Sequence, residues 1–228
     1  YELAVIIQDG LRRMYQEQED IYYYITVMNE NYPHPEIPKD AAQGILQGMY
    51  LLRQGGKASA GSAALRAQLL GSGTILREVI AAAEILEQEF GVSADIWSVT
   101  SFNELRREAL DVTRWNMLHP TEPARLSYVA TCLKDCTGPV VAATDYMKIF
   151  ADQIREFVPG RYKVLGTDGF GRSDTREKLR QFFEVDRHYV TIATLQALAE
   201  EGRISVEKVA QAINKFGIDP DKLNPVKV

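Results

Sequence analysis

The chain has 228 residues, of which 46% are hydrophobic and 25% charged, and its formal net charge is −5. This length and balance are typical of one large or two smaller globular domains and exclude a disordered chain. A mildly acidic chain lacks the basic footprint of nucleic-acid binders, and no apolar run approaches the ~20 residues of a membrane-spanning helix. Two cysteines do not form a disulfide scaffold. We therefore expect a cytoplasmic protein with reduced thiols and with neither nucleic acid nor membrane as a partner.

The first 32 residues carry one predicted helix and one predicted strand. Apolar side chains recur at helical spacing from Leu3 to Met14. Residues 21–28, Ile-Tyr-Tyr-Tyr-Ile-Thr-Val-Met, have the β-branched and aromatic content of a buried strand, and three prolines between 33 and 38 end it. A single helix and strand cannot form a domain, so we interpret residues 1–32 as the end of a preceding domain of a longer protein.

Residues 33–64 have the composition of a connector. Apolar residues between Ala41 and Leu52 predict a short helix within it. The Gly/Ser/Ala-rich stretch at 54–62 is typical of a flexible segment or a surface loop.

From Leu65 onward, strand and helix patterns alternate. The predicted strands are Leu65–Leu70, Asp95–Thr100, Pro139–Thr144 and Tyr162–Thr167. The predicted helices are Thr74–Phe90, Ser101–Arg114, Ala124–Leu133, Tyr146–Phe157, Asp174–Phe183, Val190–Glu201 and Val206–Phe216. Strands separated by helices imply right-handed crossovers and a mainly parallel sheet. We predict a three-layer α/β domain over residues 65–228.

A glycine turn, Gly71-Ser72-Gly73, lies between the first of these strands and its helix. Backbone N–H groups at such a turn can bind phosphate. The dinucleotide fingerprint fails in two of its parts, because Leu76 replaces the third glycine and residues 98–100, Ser-Val-Thr, provide no acid after the second strand. A tight strand–helix turn explains the glycines without a ligand. A nucleotide-binding regulatory domain stays open as an alternative.

Two polar segments follow predicted strands and are candidate sites. Asn29, Glu30 and Asn31 end the first strand, where they could line a site or simply start a turn. The loop Asp168-Gly169-Phe170-Gly171-Arg172 could bind an anion through Arg172, form a shaped turn fixed by Asp168, or contact another domain or subunit. For this loop we favour the structural and interface interpretations.

The remaining reactive side chains give no recognisable catalytic pattern. His119 would need a partner such as Asp111 or Glu122 for acid–base work, and ordering of its own loop is the simpler interpretation. Cys132 and Cys136 share a helix face, but a metal would need two more ligands. Neither a Gly-x-Ser-x-Gly nor a Gly-x-x-x-x-Gly-Lys-[Ser/Thr] motif is present.

Seven segments together carry a resemblance to a known family. They include Arg114 to Pro120, Arg-Trp-Asn-Met-Leu-His-Pro, and Val164 to Arg176, Val-Leu-Gly-Thr-Asp-Gly-Phe-Gly-Arg-Ser-Asp-Thr-Arg. The others are residues 22–32, 70–77, 98–102, 143–148 and 221–225. In this order the chain resembles the C-terminal part of the homodimeric bacterial pyruvate dehydrogenase decarboxylating component, a transketolase-like enzyme that uses thiamine diphosphate.

The resemblance implies three α/β domains in the whole subunit, of which the first two bind thiamine diphosphate and Mg²⁺ across the dimer interface. Residues 1–32 then look like the last helix and strand of the pyrimidine-binding domain, and 65–228 like the complete transketolase C-terminal domain. The family's cofactor ligands, metal ligands and catalytic residues all belong to regions outside this sequence. We therefore assign no catalytic, cofactor-binding or metal residue here, and we expect the isolated chain to be inactive and to carry no cofactor.

The family's activity is the oxidative decarboxylation of pyruvate, with transfer of the acetyl group to the lipoyl group of a dihydrolipoyl acetyltransferase. The implied partners are a second copy of the subunit, the upstream domains and the acetyltransferase core. By the resemblance, this chain supports the dimer, Asn29, Glu30 and Asn31 approach the edge of the substrate channel, and residues 168–172 contact a domain or subunit. A transketolase, another 2-oxo-acid dehydrogenase and a docking module for the acetyltransferase are the alternatives.

Overall fold

The computed structural model describes residues 1–56 and 65–228. Five strands form one sheet in the order β1-β3-β2-β4-β5. The strands are β1 (Met49–Arg53), β2 (Leu65–Ser72), β3 (Val92–Val99), β4 (Val140–Ala143) and β5 (Tyr162–Leu165). All neighbours pair in parallel except β1, which runs antiparallel to β3 at one edge. The predicted α/β class with a mainly parallel sheet is confirmed.

Nine α-helices accompany the sheet in the described part of the chain. They are α1 (Glu2–Leu11), α2 (Ala41–Gln47), α3 (Leu76–Phe90), α4 (Phe102–Leu118), α5 (Tyr128–Leu133), α6 (Lys148–Asp152), α7 (Arg176–Phe182), α8 (Arg187–Glu200) and α9 (Val206–Lys215). None of them is long and apolar enough to cross a membrane. A single π-helical turn, Arg12–Gln16, extends α1, and short 3₁₀ turns cover Gly73–Ile75, Arg155–Phe157 and Pro225–Lys227.

Two apolar cores, one on each face of the sheet, produce the three layers. On one face α3, α8 and α9 bury residues such as Val79, Leu86 and Leu198 against the strands. On the other face α4, α5 and the turn after α6 bury Leu105, Leu133 and Ile154 among others. The central strands β2 and β3 are buried along most of their length because helices cover them on both sides.

The predicted helix over Ala41–Leu52 is shorter in the structure, because the chain reverses at Gly48. This residue has φ +104°, and a Cβ there would lie 2.6 Å from the carbonyl oxygen of Ser101, so only glycine fits. The chain then continues as β1. Residues that the sequence assigned to a connector thus supply a strand of the sheet, while 57–64, which hold most of the predicted Gly/Ser/Ala stretch, lie outside the described residues.

The strand predicted over residues 21–28 is wrong. These residues form neither helix nor strand, and the side chains of Tyr22 and Tyr24 are 86% and 87% exposed. A strand needs the backbone hydrogen bonds of a neighbour, and within the described chain no other segment pairs with this one. Side-chain composition alone therefore predicted a strand that has no pairing neighbour among the described residues.

Candidate functional site

The parallel strands bring the residues that follow β2, β3, β4 and β5 to one side of the sheet, called here the carboxyl edge. The chain passes from β2 to β3 on one side and then crosses to β4 on the other side of β2. Such a reversal creates a crevice at the carboxyl edge, which is where ligands bind in open α/β sheets. Functional residues of this chain are therefore expected along this edge.

The crevice between β2 and β4 is filled by the chain itself. Ser72 Oγ and Thr144 Oγ1 are 2.8 Å apart across it. The carboxyl of Asp145 lies against the first turn after β2, since a Cβ on Gly73 would be 3.7 Å from Asp145 Oδ1. Burial raises the pKa of Asp145. The buried Thr74 hydroxyl lies beside this carboxyl without a hydrogen bond of normal geometry to any described residue.

This arrangement weakens the nucleotide-binding alternative for Gly71-Ser72-Gly73. A Cβ on Gly71 would lie 2.8 Å from the Cα of Leu76, so close packing of β2 against α3 requires that glycine. A carboxyl group also stands beside the helix start where a phosphate would have to bind, and it would repel one when ionised.

The N-terminal segment, residues 1–32, is attached along the carboxyl edge at several points. At one end, Glu2 Oε1 accepts hydrogen bonds from Ser98 Oγ over 2.6 Å and from Tyr50 Oη over 2.7 Å. Farther along, Tyr146 donates its hydroxyl hydrogen to Thr26. These contacts place the end of the segment, residues 29–32, over the beginnings of α3 and α7.

Glu30, one of the predicted site residues, is bound by the arginine cluster, which consists of Arg77, Arg176 and Arg180. Arg77 Nη1 lies 2.7 Å from Glu30 Oε1, and Arg180 Nη2 lies 2.8 Å from Oε2. Arg176 Nε lies 3.6 Å from the same carboxylate. Partial burial would raise the pKa of Glu30, but the hydrogen bonds and charges of Arg180 and Arg77 outweigh it, and the pKa is lowered.

The other two residues of that predicted group are exposed. Asn29 Oδ1 accepts a hydrogen bond of 2.5 Å from Arg176 Nη2, and Asn31 presents its side chain to solvent. Next to them the guanidinium of Arg77 lies 4.6 Å from the centre of the Tyr32 ring. The structure thus brings the predicted residues 29–31 together with three arginines that sequence reasoning missed.

The network continues from the arginine cluster into the core through Arg180. Arg180 Nη1 lies 3.5 Å from Oε1 of Glu78, which is buried on α3. Arg187 binds the same carboxylate through Nε at 2.9 Å and through its backbone N–H at 3.1 Å. Burial acts to raise the pKa of Glu78, yet Arg187 and Arg180 lower it on balance. Positive and negative side chains therefore alternate along this network, in the order Arg187, Glu78, Arg180, Glu30 and Arg77.

The second predicted group, the loop of residues 168–172, is a shaped turn. Asp168 Oδ1 accepts a hydrogen bond of 3.0 Å from the backbone N–H of Lys148, as the structural interpretation of this residue predicts. Gly169 has φ +111°, and a Cβ on it would lie 2.6 Å from the carbonyl oxygen of Pro225. Arg172 stacks over Phe182 at 5.2 Å, and Phe170 is 78% exposed.

An apolar patch surrounds this loop. Its members are exposed side chains that lie on the loop or on the two segments touching it, namely Tyr146, Met147, Ile149, Phe150, Phe170 and Val226. Clusters of exposed large apolar side chains of this kind are typical of protein–protein contacts.

The isolated reactive side chains occupy structural positions. His119 stacks on Trp115 with 4.3 Å between ring centres, and its Nδ1 lies 2.8 Å from the carbonyl oxygen of Trp115, so it orders its own loop. Burial raises the pKa values of the free thiols of Cys132 and Cys136, which makes both poor nucleophiles. Within the described residues, no cluster of three or more His, Cys, Asp or Glu side chains could hold a metal ion.

Comparison with known proteins agrees with this architecture. Residues 48–186 match the family described as the transketolase-like TK C-terminal domain, and residues 1–35 match the pyruvate dehydrogenase E1 component middle domain. A crystal structure of a transketolase variant from Pichia stipitis superimposes on 76% of this chain and 21% of its own, with a TM-score of 0.50 and 16% identity. That likeness concerns the fold alone.

Two curated relatives share much more of the sequence. The pyruvate dehydrogenase E1 component of Cupriavidus necator is 63% identical over 100% of this chain, and that of Pseudomonas aeruginosa is 61% identical over 99%. The chain spans 25% of the length of each of these relatives. The chain therefore belongs to the family of transketolase-like TK C-terminal domains, in the form that occurs in pyruvate dehydrogenase E1 components.

Proposed function

We propose that this chain is the supporting part of a larger enzyme that oxidatively decarboxylates pyruvate with thiamine diphosphate and Mg²⁺ in the bacterial cytoplasm. The observation that carries the proposal is the 63% identity, over the whole chain, to a protein named as the E1 component of pyruvate dehydrogenase. In this role the chain holds the end of the middle domain against the transketolase-like C-terminal domain. The longer protein acts as a homodimer and passes the acetyl group to the acetyltransferase partner.

The described residues do not fit a thiamine diphosphate or magnesium site. The three arginines that could bind a diphosphate already surround Glu30, and the carboxyl of Asp145 fills the crevice beside Gly73. In the described ranges, carboxylates, thiols and imidazoles are not grouped to bind a cation. We therefore assign to this chain neither the cofactor nor a catalytic residue.

Asn29, Glu30 and Asn31 are proposed to form one edge of the substrate channel of the longer protein. Their positions support this role, because the carboxylate of Glu30 is fixed by arginines while the amides of Asn29 and Asn31 remain at the surface. Side-chain amides donate and accept hydrogen bonds, which suits contact with a small 2-oxo acid.

The loop of residues 168–172, with the apolar patch, is proposed to contact a neighbouring domain or the second subunit. The loop is held in place from behind by Lys148 and Pro225, so that Phe170 projects from a fixed base. A fixed apolar projection loses little conformational entropy on association, which favours an interface role.

The proposal is tested by titration calorimetry of thiamine diphosphate, with Mg²⁺ present, into this chain and into the longer protein. We expect binding by the longer protein alone. A pyruvate decarboxylation assay of the longer protein, with a sugar phosphate as the competing substrate, then separates this function from that of a transketolase. Tight binding by this chain alone, or no turnover of pyruvate by the longer protein, would contradict the proposal.

A further inference from the structure

The segment that leads into Asn29 has little of its own structure to hold it. Residues 21–28 form neither helix nor strand and leave several large side chains exposed. Prolines 33, 35 and 38 follow, and none of residues 29–38 is in a helix or strand. The position of residues 29–31 therefore depends on side-chain contacts, namely those of Thr26, Asn29 and Glu30 and the contact of Tyr32 with Arg77.

Among those contacts, the pair Glu30–Arg180 is the most protected from solvent. The Arg180 side chain is 14% exposed, whereas those of Arg77 and Arg176 are 41% and 44% exposed. Exposed ion pairs contribute little because water and salt screen them, and burial reduces that screening. Arg77 and Arg176 add positive charge on the solvent-exposed side of Glu30, while Arg180 makes the contact with Glu30 that is most shielded from solvent.

Arg180 is itself held in place from the core side. Its second nitrogen faces the buried carboxylate of Glu78, which Arg187 binds through side chain and backbone. The Arg180 guanidinium thus bridges the buried carboxylate of Glu78 on α3 to the segment that carries Glu30. This bridge is the property that distinguishes Arg180 from the other arginines of the cluster.

We propose that Arg180 is a positioning residue for the substrate channel, which acts through Glu30 to hold Asn29 and Asn31 at the channel edge. The inference rests on the proposed function of residues 29–31. Arg180 touches neither substrate nor cofactor in this role. Its loss releases the segment, so that substrate meets a mobile channel edge.

The experiment is a double-mutant cycle in the longer protein with Arg180→Met and Glu30→Gln. Each single variant is expected to raise the KM for pyruvate about 5- to 30-fold and to change kcat less, because the residues orient the channel and do not react. The double variant is expected to resemble the single ones, since residues that act through one contact are not additive. Arg180→Lys, which retains the charge, should restore part of the loss.

Cleavage after Glu30 by a glutamyl endopeptidase, followed by mass spectrometry of the same longer protein, provides a readout that does not depend on turnover. The Glu30 carboxylate must leave its arginines before the protease can bind it. Faster cleavage after Glu30 in Arg180→Met, with unchanged cleavage elsewhere in the chain, is the expected result. The matched control is Arg106→Met, a substitution of an exposed arginine on α4, which should change neither KM nor cleavage after Glu30.

The two proposals fail in different ways. Additive effects of the two substitutions, or unchanged cleavage after Glu30 in Arg180→Met, would overturn the positioning role of Arg180. A longer protein that does not act on pyruvate would overturn the proposed function, and the cleavage measurement would still decide whether Arg180 holds the segment.

Discussion

Trp97 donates its indole N–H to the side-chain oxygen of Gln68 over 2.9 Å, from β3 to the neighbouring strand β2. Gln68 is buried, and its amide nitrogen donates in turn to Asp95 Oδ2 over 2.9 Å and to the carbonyl oxygen of Thr137 over 3.2 Å. The hydrogen bond of Trp97 is thus one link in a buried polar network that ties the sheet to the loop before β4.

Replacement of Trp97 by Phe should destabilise the chain. The substitution removes the donor and leaves the amide oxygen of Gln68 buried without it, and an unsatisfied buried polar group costs about 1–3 kcal/mol. We expect the free energy of unfolding, measured by urea denaturation, to fall by about this amount. Trp115→Phe is the matched control, because Trp115 stacks between loop residues at the surface. Equal losses in the two variants would contradict the role given to the network.

The elements that were predicted correctly are those whose pattern is local. The alternation of apolar runs and amphipathic stretches after Leu65 predicted four strands and the helices between them, with ends that differ by a few residues. β1 was missed because its pairing with β3 lies across a reversal at Gly48, which periodicity does not indicate. The strand over 21–28 was wrong because a strand also requires a neighbour.

The candidate site, like the fold, could be predicted from the sequence only where its signal is local. Glu30 could be selected because it follows an apparent strand, but its partners come from α3 and α7, which are far away in sequence. The spacing of Arg176 and Arg180 places both on one face of α7, and this is the only local signal for the arginine cluster. Nothing in the sequence indicated that this face is turned toward Glu30.

Gly138 should not tolerate a side chain. Its φ is +84°, and a Cβ there would overlap the carbonyl oxygen of Arg66 on β2. Because the obstacle is backbone, Gly138→Ala must displace a strand in addition to adopting the left-handed conformation, which itself costs roughly 1–2 kcal/mol. We expect Gly138→Ala to lower the unfolding free energy by more than this conformational cost.

Gly91 provides the comparison for Gly138. It has φ +65° at the end of α3, but a Cβ there would meet no atom within 4 Å. Gly91→Ala should therefore cost only the conformational part, about 1–2 kcal/mol. Thermal unfolding of both variants measures the two losses of stability. A loss in Gly138→Ala no larger than that in Gly91→Ala would show that the backbone of β2 can shift at Arg66 at little cost.

Glu78 should contribute stability that depends on pH. Arg187 and Arg180 lower its pKa below the ordinary value of 4.5, despite the opposing effect of burial. A carboxyl whose pKa is lower in the folded state stabilises the fold above its unfolded pKa, and this contribution is lost as the pH falls through the folded value. Glu78→Gln should therefore reduce the unfolding free energy at neutral pH by about 1–3 kcal/mol.

The measurement for Glu78 is urea unfolding of the unsubstituted chain and of the Glu78→Gln variant at pH values above and below 4.5. The difference in unfolding free energy between the two should shrink as the pH falls below that value. The Glu78 carboxyl then becomes protonated in the folded state as well as in the unfolded state. Glu89→Gln is the control, since Glu89 makes a surface ion pair with Lys215 at 3.0 Å, and such pairs contribute little. A difference that stays constant with pH would contradict the prediction.

Phe170 should matter for assembly and not for the stability of the fold. Its ring is 78% exposed, so Phe170→Ser should change the unfolding free energy of this chain by less than about 0.5 kcal/mol. If the apolar patch is a subunit contact, a two-fold dimer of the longer protein buries two such rings, each worth about 1.5–3 kcal/mol. Sedimentation of the longer protein should then show a dimer weakened at least tenfold. Met117→Ser, at an exposed position on α4, should leave the dimer intact, and an unchanged dimer in the Phe170 variant would remove this loop from the interface.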